Sequence, residues 1–548
     1  MKKVISILLA MMLCLSLLGA CKGTVAETAS VPATTETTEA TEAVAEAALT
    51  SEPMEISIMS WHAPNSGDKY YDGIQYVMDA YTAAHPNVTF KFEAQPLDGY
   101  VELLDTQFIS GKATDIIFMQ QYMMEQFTDK GVLLSLDPYM FATSAYNDTA
   151  SRWVDTFTGG EDSFLKMKTS NAAGAIMSVP NDSSSAFAMS LPFFYNKNLF
   201  KQAGIEKVPE TYAEFIDALK KLDAIGVAPV AGEHVDRHVS WSMGWIGEQL
   251  GEHYYDKFFD AKYNGSDKLE LRQDKDAIIF ANGMLSADDP VLQDICKLLY
   301  EYSQYWQDGW TGAAYQDAKN LFLMQKAGMF QEGFWAFTEY SDIVQDFEWG
   351  VMNVPMITKE SSAYASEGFV KAQGQQEAGY CVNGAVAQDE AKLAVVVDFL
   401  QFLSSAPVQQ EYVDIASSLS PVDGVTQPDA MALFSYDTTL CTKEAPVNAS
   451  FIDYGDSGIW GGNTEEYLTG KIDMTTFIQR SLDNSKLKAI NDCLDKLVTL
   501  PQGIADAEAA LEKSKADGAA DVVIQSQENA LALLKLKLEM YQQYCGDL

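Results

Sequence analysis

Basic side chains are scarce in this sequence: 37 lysines and arginines stand against 77 aspartates and glutamates, a formal net charge of −40 over 548 residues. That sign repels phosphate backbones and anionic headgroups, which argues against nucleic acid as a partner and against attachment to a membrane by charge. Cysteine is sparse as well, seven in all with no C-x-x-C pair. Cys14 and Cys21 lie near the N-terminus, and Cys296, Cys381, Cys441, Cys493 and Cys545 are scattered, an odd set that supports neither a disulfide framework nor a structural zinc site. G-x-S-x-G, H-E-x-x-H and a phosphate-binding glycine loop are missing, so the commonest hydrolase, zinc-protease and ATPase signatures are not met. Beyond the first twenty residues no apolar run is long enough for a transmembrane helix.

The N-terminus itself has a recognisable layout. Lys2 and Lys3 precede the apolar run "VISILLAMMLCLSLL", as in a secretory signal. The following "LGAC" resembles the lipobox of bacterial lipoproteins, which implies cleavage before Cys21 and a diacylglycerol on its sulfur. Residues 21–53 are rich in Thr, Ala and Glu and lack aromatics, so they bury too little apolar surface to fold and read as a tether. From Met54 onward, a 47% hydrophobic and 11% aromatic composition is ample for globular folding. The length calls for two or three units.

Periodicity organises the body. "EISIMSW" alternates, Ile74, Val77, Met78 and Tyr81 follow at helical spacing, and Val88, Phe90 and Phe92 alternate again. A second helix over Tyr100–Phe108 closes at Gly111 before the continuous apolar run "DIIFM". Continuous apolar strands between helices predict a parallel sheet covered on both faces, with ligands beyond the carboxyl ends of its strands. That singles out Trp61 and His62 after the first strand and Gln120, Gln121 and Tyr122 after the third. Further on, Thr211 with Glu214 forms a capping box ahead of Phe215, Leu219 and Leu222, and Gly226 ends that helix. Two helices are expected over 388–415, the second opened by Pro407. From Asn484 the tail is rich in Ala, Leu, Glu and Lys, interrupted at Pro501 and Gly518, and predicts helices folded back on one another.

The stretch "GMFQEGFWAF" at 328–337 is either core or a platform for a ligand, and composition does not decide. Four segments in order, "DAYTAAHPNVTFKFE", "GKATDIIFM" with "FFYNKNLFKQAGIEKVPETYAEFIDALKKL", "LFLMQKAGMFQEGFWAF" and "AVAQDEAKLAVVVDFLQFLSSAPVQQEYV", resemble the family 1 extracellular solute-binding proteins of ABC sugar transporters, the group of maltose-binding protein and multiple-sugar-binding lipoproteins. The resemblance spans about 54–490. It implies an α/β, two-lobed periplasmic-binding-protein fold of type II, the Venus-flytrap kind, with a C-terminal helical extension. The implied division is 1–20 signal, 21–53 tether, 54–185 with 353–424 as the N-terminal lobe, 186–352 with 425–490 as the C-terminal lobe, and 491–548 as extension. Crossings between lobes are expected near 183–192, 345–355 and 420–428.

It further implies a carbohydrate ligand stacked on Trp335, with Trp460 opposite and Asp182, Tyr380, Asp456 and Asn463 as polar contacts beside Trp61, His62 and Gln120. A pyranose offers a C–H face to an aromatic plane and a rim of hydroxyls to directional polar groups. Phe330, Phe334 and Phe337 are expected in the core. No cofactor or metal is expected. The expected partners are ABC permease subunits with a separate ATPase, and the expected state is a monomer at the outer face of a bacterial membrane, held by its lipid alone. After the "DIIFM" strand the sequence has Met119, Gln120 and Gln121 where maltose-binding protein has an aromatic, which leaves the sugar open.

Rival readings are a non-sugar solute such as a peptide or polyol in the same fold, and a glycoside hydrolase using two cleft carboxylates. "TAAH" at 82–85 and "GDSG" at 455–458 look like protease segments, but His85 ends a helix before Pro86 and the helix-rich pattern contradicts an all-β protease. His234 and His238 are spaced for a metal without a third ligand.

Overall fold

The computed structural model describes residues 49–548 apart from 65–68, 98, 148–151, 162–163, 165–173, 183–190, 234–235, 252, 265–270, 334–335, 338–339, 342–345, 366–368, 372–377, 435–440, 445–461 and 517–520. The expected signal, the lipidation site Cys21 and nearly all of the tether lie outside that set, as do the first expected crossing, His234, Trp335, Asp456 and Trp460.

The alternating run becomes β1 (Met54–Ser60), followed by α1 (Lys69–Ala84), β2 (Val88–Ala94), α2 (Tyr100–Ser110), β3 (Ile116–Gln120), α3 (Gln121–Asp129) and β4 (Ser178–Asp182). Next come β5 (Phe193–Asn196), α4 (Tyr212–Ala224), β6 (Ala228–Ala231), α5 (Arg272–Ala281), α6 (Tyr315–Leu323), β7 (Ala327–Gln331) and β8 (Trp349–Met352). The chain continues through β9 (Phe369–Lys371), β10 (Ala378–Val382), α7 (Glu390–Leu403), α8 (Ala406–Ala416), β11 (Cys441–Glu444), α9 (Met474–Ala516) and α10 (Asp521–Cys545).

These strands form two main sheets, giving the two-lobed α/β architecture with C-terminal helices. The first has the order β2-β1-β3-β10-β4. Its β1, β2 and β3 are parallel as expected, but β10 enters antiparallel between β3 and β4, so the sheet is mixed. A bulge lies between Ala378 and Gly379, where a Cβ on Gly379 would stand 2.5 Å from the Val179 carbonyl oxygen; only glycine allows that approach. The second sheet has the order β6-β7-β5-β8, with β6 and β7 parallel and β5 antiparallel to both its neighbours.

Both sheets are covered on two faces. In β5, Phe193 enters one core and Phe194 another, and Met329 and Phe330 of β7 alternate in the same way. Helix α4 starts at the anticipated box, where Thr211 Oγ1 accepts from the Glu214 N–H and the Glu214 carboxylate accepts from the Thr211 N–H at 3.1 Å. Its buried face, Phe215, Leu219 and Leu222, lies on β7. Pro407 sits in the first turn of α8. Helices α7 and α8 pack on the first sheet, where a Cβ on Gly73 of α1 would meet the Tyr412 ring at 2.7 Å.

Two expectations change. The second crossing does not occur at 345–355: β8 belongs to the second sheet, and Val354, Ile357 and Ala365 pack in the second core, so residues 353–365 join that half. Near the third expected crossing, Val422 packs with the first core and Phe434 against the second sheet. Pro501 does not interrupt the tail. Helix α9 runs 43 residues through it and through the 490/491 boundary, because buried Leu500, Gly503 and Ile504 hold that turn by packing where proline removes a backbone hydrogen bond.

Helix α10 folds back along α9, with ion pairs Lys535–Glu508 at 2.6 Å and Lys515–Glu528 at 3.0 Å. It is clamped to α5 by the buried pair Lys537–Asp274 at 2.8 Å, to which the Tyr541 hydroxyl also donates. On the other side, Lys496 of α9 reaches Asp129 of α3, 3.2 Å away.

Candidate functional site

The carboxyl ends of β1, β3 and β4 and the amino end of β10 lie along one edge of the first sheet. Four of the candidate residues meet there. Trp61 and His62 continue β1, and Gln120 and Asp182 flank Ala378 from opposite sides in the ladder. Trp61 is half-buried, its ring 4.8 Å from Phe118 and edge-on to Tyr100 at 5.5 Å. The His62 imidazole stacks on Tyr70 at 4.8 Å, and its backbone N–H donates to Ser60 Oγ. Beneath them the Tyr100 hydroxyl donates to the Phe118 carbonyl, and burial holds that phenol well above its usual range, so it remains a neutral donor. The indole is thus propped from below by fixed rings with part of its surface in solvent. That is the mechanical requirement for a stacking surface.

Gln121 and Tyr122 take different roles. Gln121 is buried and its amide donates to Glu125, whereas Tyr122 is 46% exposed at the start of α3. Tyr380 departs from the expectation. It is 2% exposed, 4.9 Å from Phe118 and in register between Phe118 and Val179, so it packs beneath the edge rather than presenting a ligand contact. Asn463 departs too, because its amide donates to the Phe477 carbonyl and Ser481 Oγ within the helical tail. His85 is a structural residue, 3.8 Å from Asp398, which also accepts from the Tyr81 and Tyr146 hydroxyls.

At the second sheet the equivalent edge follows β6 and β7. All five residues of β7 are buried, and Phe330 and Phe337 are core as expected. The strand answers half the question raised by "GMFQEGFWAF": its first part is core. Glu332, 0% exposed, directly follows the strand, accepting from the Tyr315 hydroxyl and from the Gly333 N–H at 2.7 Å. Lys319, also buried, lies over the Tyr315 ring at 5.7 Å. Phe334 and Trp335 come immediately after this anchored turn and lie outside the described residues.

The sequence reading missed the neighbouring turn after β6. There the Gln307 side chain grips the Gly232 backbone with two 2.6 Å hydrogen bonds, Trp306 packs against Gly232, and half-buried Trp310 stands edge-on to Trp306 at 5.0 Å. Glu233, 6% exposed, follows. The same rule about strand carboxyl ends would have found this turn, but "APVA" is four residues of weak pattern. Among the described residues no group of three His, Cys, Asp or Glu side chains is placed to hold a metal ion, and no single helix is long and apolar enough to cross a membrane.

Comparison with known proteins agrees with this architecture. Residues 65–410 match the family described as bacterial extracellular solute-binding protein. A Brucella abortus protein named as a binding protein is 25% identical over 51% of this chain, and the match spans 58% of that relative's length. The multiple sugar-binding protein of Streptococcus mutans is 22% identical over 65% of this chain and 73% of its own. Among solved structures, a chitin oligosaccharide binding protein superposes with a TM-score of 0.58 at 18% identity, covering 79% of this chain and 99% of that one. The raffinose complex of the binding protein RafE gives 0.55 at 16% identity over 80% and 99%.

Proposed function

The chain belongs to the bacterial extracellular solute-binding protein family, and from that premise we propose that it captures a carbohydrate, an oligosaccharide in particular, between its two lobes and delivers it unaltered to a separate membrane permease. The observation that carries this reading is the edge of the first sheet, where a propped, partly exposed indole stands beside His62, Gln120 and the backbone position of Asp182. Trp335 would supply the facing ring, since it follows the turn fixed by Glu332, and Trp460 and Asp456 would join it. The names of the Streptococcus mutans relative and of the two solved structures support the ligand class. The "LGAC" stretch supports a lipid on Cys21, with residues 21–53 holding the lobes off the membrane.

Ligand favours closure because only the closed form lets both lobes touch it. Stacking at about 0.5–1.5 kcal/mol per ring and hydrogen bonds at about 1 kcal/mol each sum toward micromolar affinity. A thermal-shift screen of the purified protein against mono- and oligosaccharides, peptides and polyols tests this. A ligand at a hundred times its Kd should add about 2.7 kcal/mol of stability. Silence across the sugars with a response to peptides or polyols overturns the ligand class, and release of shortened glycans during binding overturns the absence of chemistry.

A further inference from the structure

Beside β6 the second sheet has an outer rung formed by residues 305–307. Trp306 pairs in parallel with Val230, whose N–H donates to the Tyr305 carbonyl and whose carbonyl accepts from the Gln307 N–H, both at 3.2 Å. Val230 in turn stands in register with Met329 of β7. Trp306, Val230 and Met329 therefore lie in one row, and all three segments leave the sheet at its carboxyl edge. With neighbouring strands about 4.8 Å apart, the outer rung leaves about 10 Å from β7.

Past Gln307 the chain turns through Asp308 and Gly309 into Trp310. Gly309 has φ 79°, in the left-handed region that favours glycine, and the Trp310 N–H closes the turn on the Gln307 carbonyl at 3.3 Å. The two 2.6 Å hydrogen bonds between the Gln307 side chain and the Gly232 backbone fix the base of this turn on the sheet. Trp310 is propped edge-on by Trp306 and stays half-buried, while Asp308 beside it is exposed and has no hydrogen bond or ion pair among the described residues. A Cβ added at Gly309 or Gly312 would meet nothing within 4 Å, so the backbone on either side of the indole builds no wall. A supported, partly exposed ring next to an unoccupied carboxylate is the pair a pyranose needs, a plane for its C–H face and an acceptor for a hydroxyl.

We infer that Trp310 and Asp308 form an outlying carbohydrate subsite of the second lobe, which engages the far end of an oligosaccharide whose nearer rings lie at the carboxyl ends of β6 and β7. The inference rests on the carbohydrate reading above and adds ligand length to it. The separation of about 10 Å between the outer rung and β7 is wider than one pyranose ring, so a single sugar does not reach both turns and a chain of several does. Trp310 stacks on the distal ring and Asp308 accepts from its hydroxyls, with no bond in the ligand made or broken.

The test is calorimetry on the purified full chain with ladders of chitin, maltose-type and xylan oligosaccharides from one ring to six. Affinity should rise with length in the series that the protein binds, and Trp310→Ala should remove that rise, with a loss of about two- to tenfold confined to the longer members and little change in Tm. Trp310→Phe, which keeps a ring, should recover part of the loss. Asp308→Asn, at an exposed position, should reproduce it without touching the fold, and it decides alone if Trp310→Ala does not fold. Trp61→Ala, by contrast, should weaken every length alike. Weakening by the Trp310 and Asp308 variants that is equal at all lengths, or no weakening by either, overturns the subsite alone, as does an unsubstituted chain that binds these glycans without regard to length. An unsubstituted chain that binds none of them overturns the carbohydrate reading, and the subsite with it.

Discussion

The carboxyl edges of the two sheets are built from different chemistry. On the first, Trp61 and His62 rest on a floor of Phe118, Tyr100 and Tyr70 with part of the indole in solvent. On the second, Glu332 is sealed from solvent and holds the backbone of its own turn together with Tyr315. The contrast teaches that position at a strand end does not assign a role by itself. A residue whose polar atoms are occupied by the turn fixes geometry for its neighbours, whereas one propped from below with its upper surface exposed is able to meet a ligand. Stability and affinity should therefore separate between the two edges.

The sharpest way to break the comparison is Glu332→Ala. It removes the acceptor of the part-buried Tyr315 hydroxyl and of the buried Gly333 N–H, which should cost about 3 kcal/mol in denaturant unfolding. Glu332→Gln, which keeps an acceptor, should recover part of that. Gly379→Ala comes next. Its Cβ meets a backbone oxygen at 2.5 Å, so β10 and β4 must separate, at about 2 kcal/mol of stability and with the spacing of Gln120 and Asp182 disturbed. A Gly379→Ala protein as stable as the parent would show that the bulge relaxes freely. Trp61→Ala should weaken binding of the sugar found in the screen about tenfold by calorimetry, with little change in unfolding. If instead it unfolds the protein as Glu332→Ala does, the two edges are alike and the contrast is lost.

The smallest effect concerns pH and touches both halves. Burial first, then hydrogen bonds to Asp398 and Asp289, hold the Tyr81 and Tyr254 phenols above the ordinary range. In the unfolded chain tyrosines lose their protons near pH 10, while the folded protein retains them. The folded state then binds more protons, so stability is unaffected below about pH 10 and declines above it. Urea midpoints at pH 8 and 11 measure this. An unchanged midpoint would mean these hydroxyls ionise in place.

Local signals were well read from the chain alone. Thr211 and Glu214 announced α4 because a capping box is complete within four residues, and Pro407 marked α8 for the same reason. What escaped depends on partners distant in sequence. The antiparallel insertion of β10 between β3 and β4 is fixed by pairing Tyr380 with Phe118 and Val179, and that pairing is also what buries Tyr380. Pro501 reads locally as a stop, yet packing of Leu500 and Ile504 outweighs the lost hydrogen bond. At the candidate site, the rule about strand ends points to Trp61, His62 and Gln120, Asp182 came from the family resemblance, and the rule passed over β6 because so short a strand leaves little pattern.

The contact between Lys496 and Asp129 has a consequence for how the halves are connected. Helix α9 is rooted in the second core, yet this side chain grips a helix of the first. The halves are therefore joined by an ion pair at a point away from the strands of chain that pass between them. A tail that looks like an appendage in the sequence therefore touches both halves.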